Sequence, residues 1–177
     1  MWCPRSHAGS PEAAALACGY DSAHILFMSP IPEGFRPARI LGEFVALNGP
    51  LYGKWADGKL VLAFRVEQRH LNPLKICHGG MLATFADMLV PCEAMYREDF
   101  EHRFMPTVSL QIDYMGPAPM GAWVQGEAQI LRKTRNLLFG QALVTADGAP
   151  ALRVSGVFKL GSVRFGDSDD RDPLGLK

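Results

Sequence analysis

One segment of the sequence, residues 81 to about 96, limits the possible folds more than any other. Its composition favours a helix, and its apolar residues lie nearly all round the helix axis, which predicts a buried helix. Pro91 falls within the segment and predicts a kink or an early end, because proline removes a backbone hydrogen bond inside a helix. A helix of this kind has to be covered by other elements of the same domain.

The part of the chain after residue 105 supplies elements that can cover the helix. Apolar and polar residues alternate with a period of two over residues 107–114, which is typical of a half-buried strand. Further strands are predicted at residues 123–132, 137–146 and 151–160. The short connections between these strands predict antiparallel neighbours.

Two Asp-Gly pairs predict tight hairpin turns of the I′ type. Asp57-Gly58 lies between predicted strands at residues 51–55 and 59–66, and Asp147-Gly148 precedes the last strand. The layout is therefore α+β, and it lets a curved antiparallel sheet wrap around one long central helix. This is the hotdog arrangement, although the number of elements also permits other α+β folds.

The sequence suggests three parts of unequal character. Residues 51–165 form the predicted main domain, and residues 1–50 form an N-terminal extension with a short helix that starts at Ser10. The rest of that extension is rich in proline and glycine and predicts one strand at residues 40–47. The aspartate-rich residues 166–177 predict a flexible acidic tail.

The overall composition narrows the class of protein. Lys plus Arg and Asp plus Glu both total 18, so the balance argues against a nucleic-acid or membrane-surface partner. The four cysteines lack metal-binding spacing and are expected to be free thiols in a reducing compartment. No stretch approaches transmembrane length. We therefore expect a cytoplasmic globular protein without a metal or cofactor.

Polar residues and glycines are concentrated where the predicted helix begins. His78-Gly79-Gly80 directly precedes it, and the first N–H groups of a helix suit a developing oxyanion. Asp87 lies further along among apolar neighbours, where a carboxylate requires a partner, a polar cavity or a second subunit. Simpler explanations stay open, namely a tight turn, a capping histidine and an aspartate on one exposed helix edge.

Residues 72–87 closely resemble the signature of the PaaI-like hotdog thioesterases. Their sequence is Asn-Pro-Leu-Lys-Ile-Cys-His-Gly-Gly-Met-Leu-Ala-Thr-Phe-Ala-Asp, and the family repeats Asn, His-Gly-Gly and Asp at this spacing. Residues 107–118 also resemble the next strand and turn of the family, and the likeness extends to about Leu160. The resemblance implies that the protein hydrolyses an acyl-CoA to a free carboxylic acid and CoA.

The resemblance also implies roles for single residues. The Gly79 backbone N–H would polarise the thioester carbonyl, Asn72 would orient substrate or water, and His78 would orient the carbonyl or its neighbours. Asp87 would act as general base or nucleophile, with Thr107 as a supporting hydroxyl. In the family such residues face each other across a homodimer interface, and the dimers often pair into tetramers.

A cation-rich turn at residues 132–136 resembles the CoA-binding loop of the family. A hairpin tip exposed to solvent would account for the cluster of cations nearly as well. Two prolines depart from the family pattern. Pro91 would affect the far wall of the pocket, and Pro119 stands in a turn where some relatives carry a basic residue. The candidate CoA contacts are Gly116, Pro117, Arg132, Thr134, Arg135 and Asn136.

Other chemistries fit the sequence less well. Cys77 and His78 are adjacent, whereas a nucleophile and its base normally come from separate elements. His70 and His78 lack a third ligand at metal-binding spacing. Hotdog dehydratases use a histidine and a carboxylate in a different motif. The alternative that remains is a hotdog module that binds acyl-CoA without hydrolysing it, as a sensor or carrier.

Overall fold

The computed structural model describes residues 30–40, 42–97, 100, 103–163 and 172–176. The chain divides into two units, Met1–Pro32 and Glu33–Lys177, and every element named below belongs to the second. The helix predicted to start at Ser10 lies outside the described residues. Within the described ranges, no helix is both long and apolar enough to cross a membrane.

Seven antiparallel strands form one sheet in the order β1-β2-β3-β5-β6-β7-β4. Their bounds agree with the predicted strands to within two residues where a strand was predicted. The strands are β1 (Arg36–Pro37), β2 (Tyr52–Ala56), β3 (Lys59–Arg65), β4 (Thr107–Tyr114), β5 (Trp123–Lys133), β6 (Leu137–Ala146) and β7 (Ala149–Lys159).

Both predicted hairpin turns are confirmed by their backbone conformation. Asp57 and Gly58 have φ values of 54° and 72°, and Asp147 and Gly148 have values of 48° and 83°. Positive φ at both central residues defines the I′ turn, whose twist matches that of the strands it joins. The turns therefore set the pairing of β2 with β3 and of β6 with β7.

The long helix α2 (Gly79–Met95) packs against strands β3 to β7 and forms the centre of the domain. Phe85 and Leu89 on the helix are buried in the same core cluster as Val144 on β6. A single long helix covered by a curved antiparallel sheet is the predicted hotdog arrangement.

The prediction of an early helix end at Pro91 is wrong, because α2 continues to Met95. Pro91 lies on the half-buried side of the helix. The carbonyl that loses its hydrogen-bond donor is that of Asp87, four residues earlier.

The prediction that α2 is buried all round holds for most of its circumference but not for all of it. The half-buried positions Thr84, Asp87, Met88 and Pro91 recur at helical spacing and form one stripe. Asp87 therefore lies on the least buried side of the helix. We call this set of four residues the open stripe.

Two other predictions are wrong. Residues 40–47 do not form a strand; a short helix α1 (Glu43–Asn48) begins after Gly42, whose φ of 118° interrupts the extended backbone. In addition, β4 pairs with β7 and not with β5, its successor in the sequence. The connection between β4 and β5 crosses the end of the sheet, because Pro119 bridges Ile76 and the Gly121 N–H donates to Val66.

The predicted flexible tail is wrong for residues 172–176. Leu174 and Leu176 are buried in the core, and the Asp172 carboxylate accepts hydrogen bonds from the Tyr96 hydroxyl at 2.8 Å and the Leu176 N–H at 2.7 Å. The leucines supply apolar area that offsets the cost of ordering the segment. Residues 164–171 lie outside the described part of the chain.

Candidate active site

The start of helix α2 is capped by the side chain that precedes it. His78 has an extended backbone (φ −63°, ψ 136°), and its Nδ1 accepts the Gly80 N–H at 2.8 Å. The His78 carbonyl accepts the N–H groups of Met81 at 3.0 Å and Leu82 at 3.2 Å. The Gly79 N–H has no acceptor among the described residues, and it points out of the positive end of the helix dipole.

The loop before the helix is held tightly by its own backbone. An isolated bridge pairs Leu71 with Cys77, and the His78 N–H donates to the His70 carbonyl at 2.7 Å. The Asn72 Oδ1 accepts the Leu74 N–H at 2.9 Å, a turn typical of asparagine. The same loop therefore carries Asn72, His78 and Gly79; the side-chain carbonyl of Asn72 is engaged within it, and the Asn72 Nδ2 has no acceptor among the described residues.

His70 holds this loop through its backbone carbonyl, and its ring is buried, with 3% of the residue exposed. Its Nδ1 accepts the Glu67 N–H at 3.0 Å, and its Nε2 lies 3.0 Å from the Asn48 carbonyl. Nε2 therefore carries the proton, since a carbonyl can only accept. Burial lowers the pKa of His70. The ring is thus a neutral structural group whose two nitrogens are both engaged.

The structure places Thr107 directly against Asp87. The Thr107 hydroxyl donates to the Asp87 Oδ1 at 2.6 Å, from the first residue of β4 to the open stripe of α2. The Asp87 Oδ2 accepts no hydrogen bond from the described residues and remains available. This contact supplies the partner that the position of Asp87 requires.

Gly79 and Asp87 of one chain are far apart. Eight residues separate them on the same helix, so they lie about 12 Å apart along its axis at 1.5 Å per residue. A nucleophile or base and an oxyanion donor both have to lie roughly 3 Å from the reacting atoms. Gly79 and Asp87 of one chain therefore cannot both contact the same reacting atoms.

Tyr114, at the end of β4, is a site residue that the sequence did not single out. Its hydroxyl donates to the Gly79 carbonyl at 3.0 Å, and a Cβ added at Gly79 would lie 3.4 Å from its ring. The alternation in β4 predicted that Tyr114 and Val108 face the core, yet they are 54% and 60% exposed. A bulge near Thr107 and the edge position of β4 account for the difference.

The candidate CoA contacts fall into two groups at opposite ends of the sheet. Gly116 and Pro117 follow the end of β4 and lie beside the loop that leads to Gly79, because the Cys77 N–H donates to Ala118 at 2.8 Å. The 132–136 turn lies at the other end, where the Leu160 N–H donates to Asn136 at 2.8 Å.

The 132–136 turn also offers fewer free cations than its sequence suggests. The Lys133 Nζ lies 4.2 Å from the centre of the Phe100 ring, and the Thr134 Oγ1 accepts the Leu137 N–H at 2.9 Å. Arg132 and Arg135 are exposed to solvent. Lys133 is exposed as well, but its ammonium group lies against the Phe100 ring, so the two arginines are the cations of the turn without such a contact among the described residues.

Cys77 lies beside the helix start but is not an activated nucleophile. It is buried, and burial raises the pKa of its thiol to about 12. Its Sγ–H points toward the His78 carbonyl at 3.8 Å, not toward the imidazole ring. The thiol therefore stays protonated near neutral pH, in keeping with the interpretation that it plays no catalytic part.

Glu93 is a buried carboxylate that the sequence analysis missed. It is 1% exposed, its Oε2 accepts the Leu60 N–H at 2.9 Å, and its Oε1 pairs with Arg97 at 2.8 Å. The i, i+4 spacing of Glu93 and Arg97 is the signal that could have found it. The bond to Leu60 ties α2 to β3, and the ion pair with Arg97 offsets the charge of the buried carboxylate, so the role of Glu93 is structural.

Comparison with known proteins places this geometry in a family. The sequence profile of the thioesterase superfamily matches residues 74–150. A Pseudomonas aeruginosa protein that bears the name of an esterase is 32% identical over 135 residues, which cover 75% of this chain and 99% of that protein. The chain belongs to the thioesterase superfamily.

One further protein resembles this thioesterase in sequence, and one solved structure resembles it in fold. Acyl-coenzyme A thioesterase 13 of Mus musculus is 35% identical over 92 residues, covering 51% of this chain and 63% of the mouse protein. A mutant of the phenylacetic acid degradation protein PaaI from Thermus thermophilus has the same fold with a TM-score of 0.56 and 24% identity, covering 70% of this chain and all (100%) of that one. The predicted hotdog fold and the predicted thioesterase family are confirmed, and with them the hydrolysis of a thioester.

Proposed function

We propose that the protein hydrolyses an acyl-CoA thioester to a free carboxylic acid and CoA, in a site shared by two copies of the chain. The observation that carries the proposal is the hydrogen bond between Thr107 and Asp87. It holds one carboxylate oxygen on the open stripe and leaves the other free for a water molecule or a thioester carbon. Acyl-coenzyme A is also the substrate class in the name of the mouse relative.

Gly79 supplies the oxyanion donor in this proposal. The thioester carbonyl oxygen gains negative charge as its carbon is attacked, and a backbone N–H at a helix start stabilises that charge. The Gly80 N–H is already engaged by His78 at 2.8 Å. Gly79 is therefore the donor in the first turn that remains available, and the role of His78 shifts from orienting the substrate to shaping the helix start.

Asp87 activates the attacking group. As a general base it takes a proton from water, the hydroxide adds to the carbonyl carbon, and collapse of the intermediate breaks the carbon–sulfur bond. The CoA thiolate then takes up the proton, which leaves the free acid and CoA. As a nucleophile Asp87 would first attack the carbonyl carbon, break the carbon–sulfur bond to release CoA as a thiolate, and form an anhydride with the acyl group; water then hydrolyses the anhydride to the free acid and Asp87, and the released proton goes to the thiolate. Asn72 would use its Nδ2 to orient the substrate or the water.

Two copies are required because the halves of the site are about 12 Å apart along one helix. The open stripe faces away from the sheet core, and β4 is an edge strand, paired among the described residues only with β7. A second copy related by a twofold axis would present its Gly79 to Asp87 of the first. We therefore propose a homodimer, with tetramers formed by further pairing of dimers.

The same arrangement explains the separation of the candidate CoA contacts. Gly116 and Pro117 lie at the Gly79 end of each chain, and Arg132 and Arg135 lie at the Asp87 end. Only a shared site would bring the first group of one copy near the second group of the other. The exposed arginines would then bind the phosphates of CoA, while Thr134 and Asn136 shape the turn.

The direct test is thiol release from a panel of aromatic, short-chain and medium-chain acyl-CoAs. We expect turnover by the wild type and a loss of about 10² or more in kcat for Asp87→Asn, because the amide cannot accept a proton as a base does. Equal rates for both proteins would refute the role of Asp87. Tight binding of an acyl-CoA without thiol release would instead favour a sensor or carrier.

The shared site is tested by complementation. Asp87→Asn and Gly79→Pro chains are each expected to be inactive alone. When both are co-expressed, half of the randomly formed dimers are mixed and each has one complete site, so about a quarter of the wild-type rate should return. No recovery in mixed dimers, verified by two affinity tags, would refute a site that takes Asp87 from one copy and Gly79 from the other.

A further inference from the structure

The peptide group between Gly79 and Gly80 is held at both of its polar ends by side chains. Its N–H donates to the His78 Nδ1 at 2.8 Å, and its carbonyl accepts the Tyr114 hydroxyl at 3.0 Å. The preceding peptide group is held through the His78 carbonyl, which accepts the Met81 N–H at 3.0 Å. Both planes that flank the Gly79 Cα are thus fixed.

Such restraint matters at this position because two consecutive glycines have more backbone freedom than any other residue pair. The first turn of a helix also has fewer internal hydrogen bonds than the later turns. An oxyanion donor stabilises charge effectively only when its direction is set before the reaction. Helical hydrogen bonds to the His78 carbonyl hold the peptide group that carries the Gly79 N–H, and a tyrosine from another element holds the next peptide group.

We propose that Tyr114 is a positioning residue that fixes the direction of the Gly79 N–H. It acts through its hydroxyl bond to the Gly79 carbonyl, which holds the peptide group next to the one that carries this N–H. Tyr114 and Thr107 stand at the two ends of β4, so this one strand sets both the donor and the carboxylate of the proposed site. The inference rests on the proposed function.

The kinetic test is Tyr114→Phe, which removes the hydroxyl and keeps the ring. We expect kcat to fall about tenfold with KM unchanged, a smaller loss than the roughly 10² to 10³ caused by deleting a donor. Tyr52→Phe, the same change on β2, is the matched control and should keep wild-type kcat. Wild-type kcat in Tyr114→Phe would overturn the inference. A change in KM alone would do so too, since it would indicate ground-state contact with the substrate.

A second measurement does not depend on activity. Amide hydrogen exchange of Gly80, followed by NMR on protein with isotope-labelled glycine, should become at least about threefold faster in Tyr114→Phe as the peptide group loosens. Gly126 in β5 serves as the internal reference. Unchanged Gly80 exchange would overturn the positioning role even if kcat fell. Absence of thiol release by the wild type would refute the proposed function, and the exchange result would still decide whether Tyr114 holds this peptide.

Discussion

The Thr107 hydroxyl donates to the Asp87 carboxylate at 2.6 Å, and this contact joins the start of an edge strand to the open stripe of the central helix. The acceptor is Oδ1, so Oδ2 is free to face a reacting group. The hydrogen bond also selects one orientation of the carboxylate. A restrained carboxylate of this kind is what general-base or nucleophilic chemistry requires.

Loss of the Thr107 hydroxyl should reduce activity without unfolding the protein. For Thr107→Val we expect kcat to fall about five- to tenfold, because a hydrogen bond to a charged group that is partly exposed contributes ~1 kcal/mol or slightly more. Thr107→Ser keeps the hydroxyl and should retain most of the activity. Kinetics on purified variants, with circular dichroism to verify folding, measure the effect. Equal losses in both variants would mean that the hydroxyl is not the active feature.

Two replacements of Gly79 distinguish the contribution of its N–H to activity from that of its small size. Gly79→Pro should lower kcat by about 10² or more, because it deletes the proposed donor. The fold should survive, since proline is favoured at the first helical position and His78 already has the extended backbone required before proline. Gly79→Ala keeps the N–H, and its Cβ would lie 3.4 Å from the Tyr114 ring, an ordinary contact. A folded, fully active Gly79→Pro protein would show that another group binds the oxyanion.

Stability should fall as the pH drops below neutral because of His70. Burial lowers the pKa of this ring in the folded state. Below the unfolded value of about 6.5, the unfolded chain binds a proton that the folded chain does not, so unfolding is favoured. We expect the Tm to decrease between about pH 7 and pH 5, and to decrease less in His70→Gln, which cannot be protonated. The same pH slope in both proteins would assign the effect to other groups.

The docking of residues 172–176 can be measured through Gly53. A Cβ at Gly53 would overlap the Leu176 side chain, so Gly53→Ala should destabilise the protein by ~1–3 kcal/mol through overpacking. In a Leu176→Ala background this penalty should largely disappear. Urea unfolding of the two single variants and the double variant yields the coupling energy. Additive effects would show that the two residues do not touch in solution.

Local structure was predictable wherever a short stretch of sequence sets its own conformation. The period-two alternation identified β4, and the Asp-Gly pairs fixed positive φ in both I′ turns. The prediction of a strand at residues 40–47 failed because a short apolar run suits a helix equally well, and the chain forms α1 there. The tail prediction failed because two leucines outweigh the acidic composition when a core surface is available to bury them.

The sequence by itself determined the central helix, the strands, the turns and the family signature, because each depends on residues that are close together in the chain. Tertiary structure alone decided that β4 pairs with β7 and β3 with β5, and which distant side chains meet. Thr107 and Asp87 are 20 residues apart, and Tyr114 and Gly79 are 35 apart. Contacts at such separations follow from how the sheet wraps the helix, and periodicity carries no information about them.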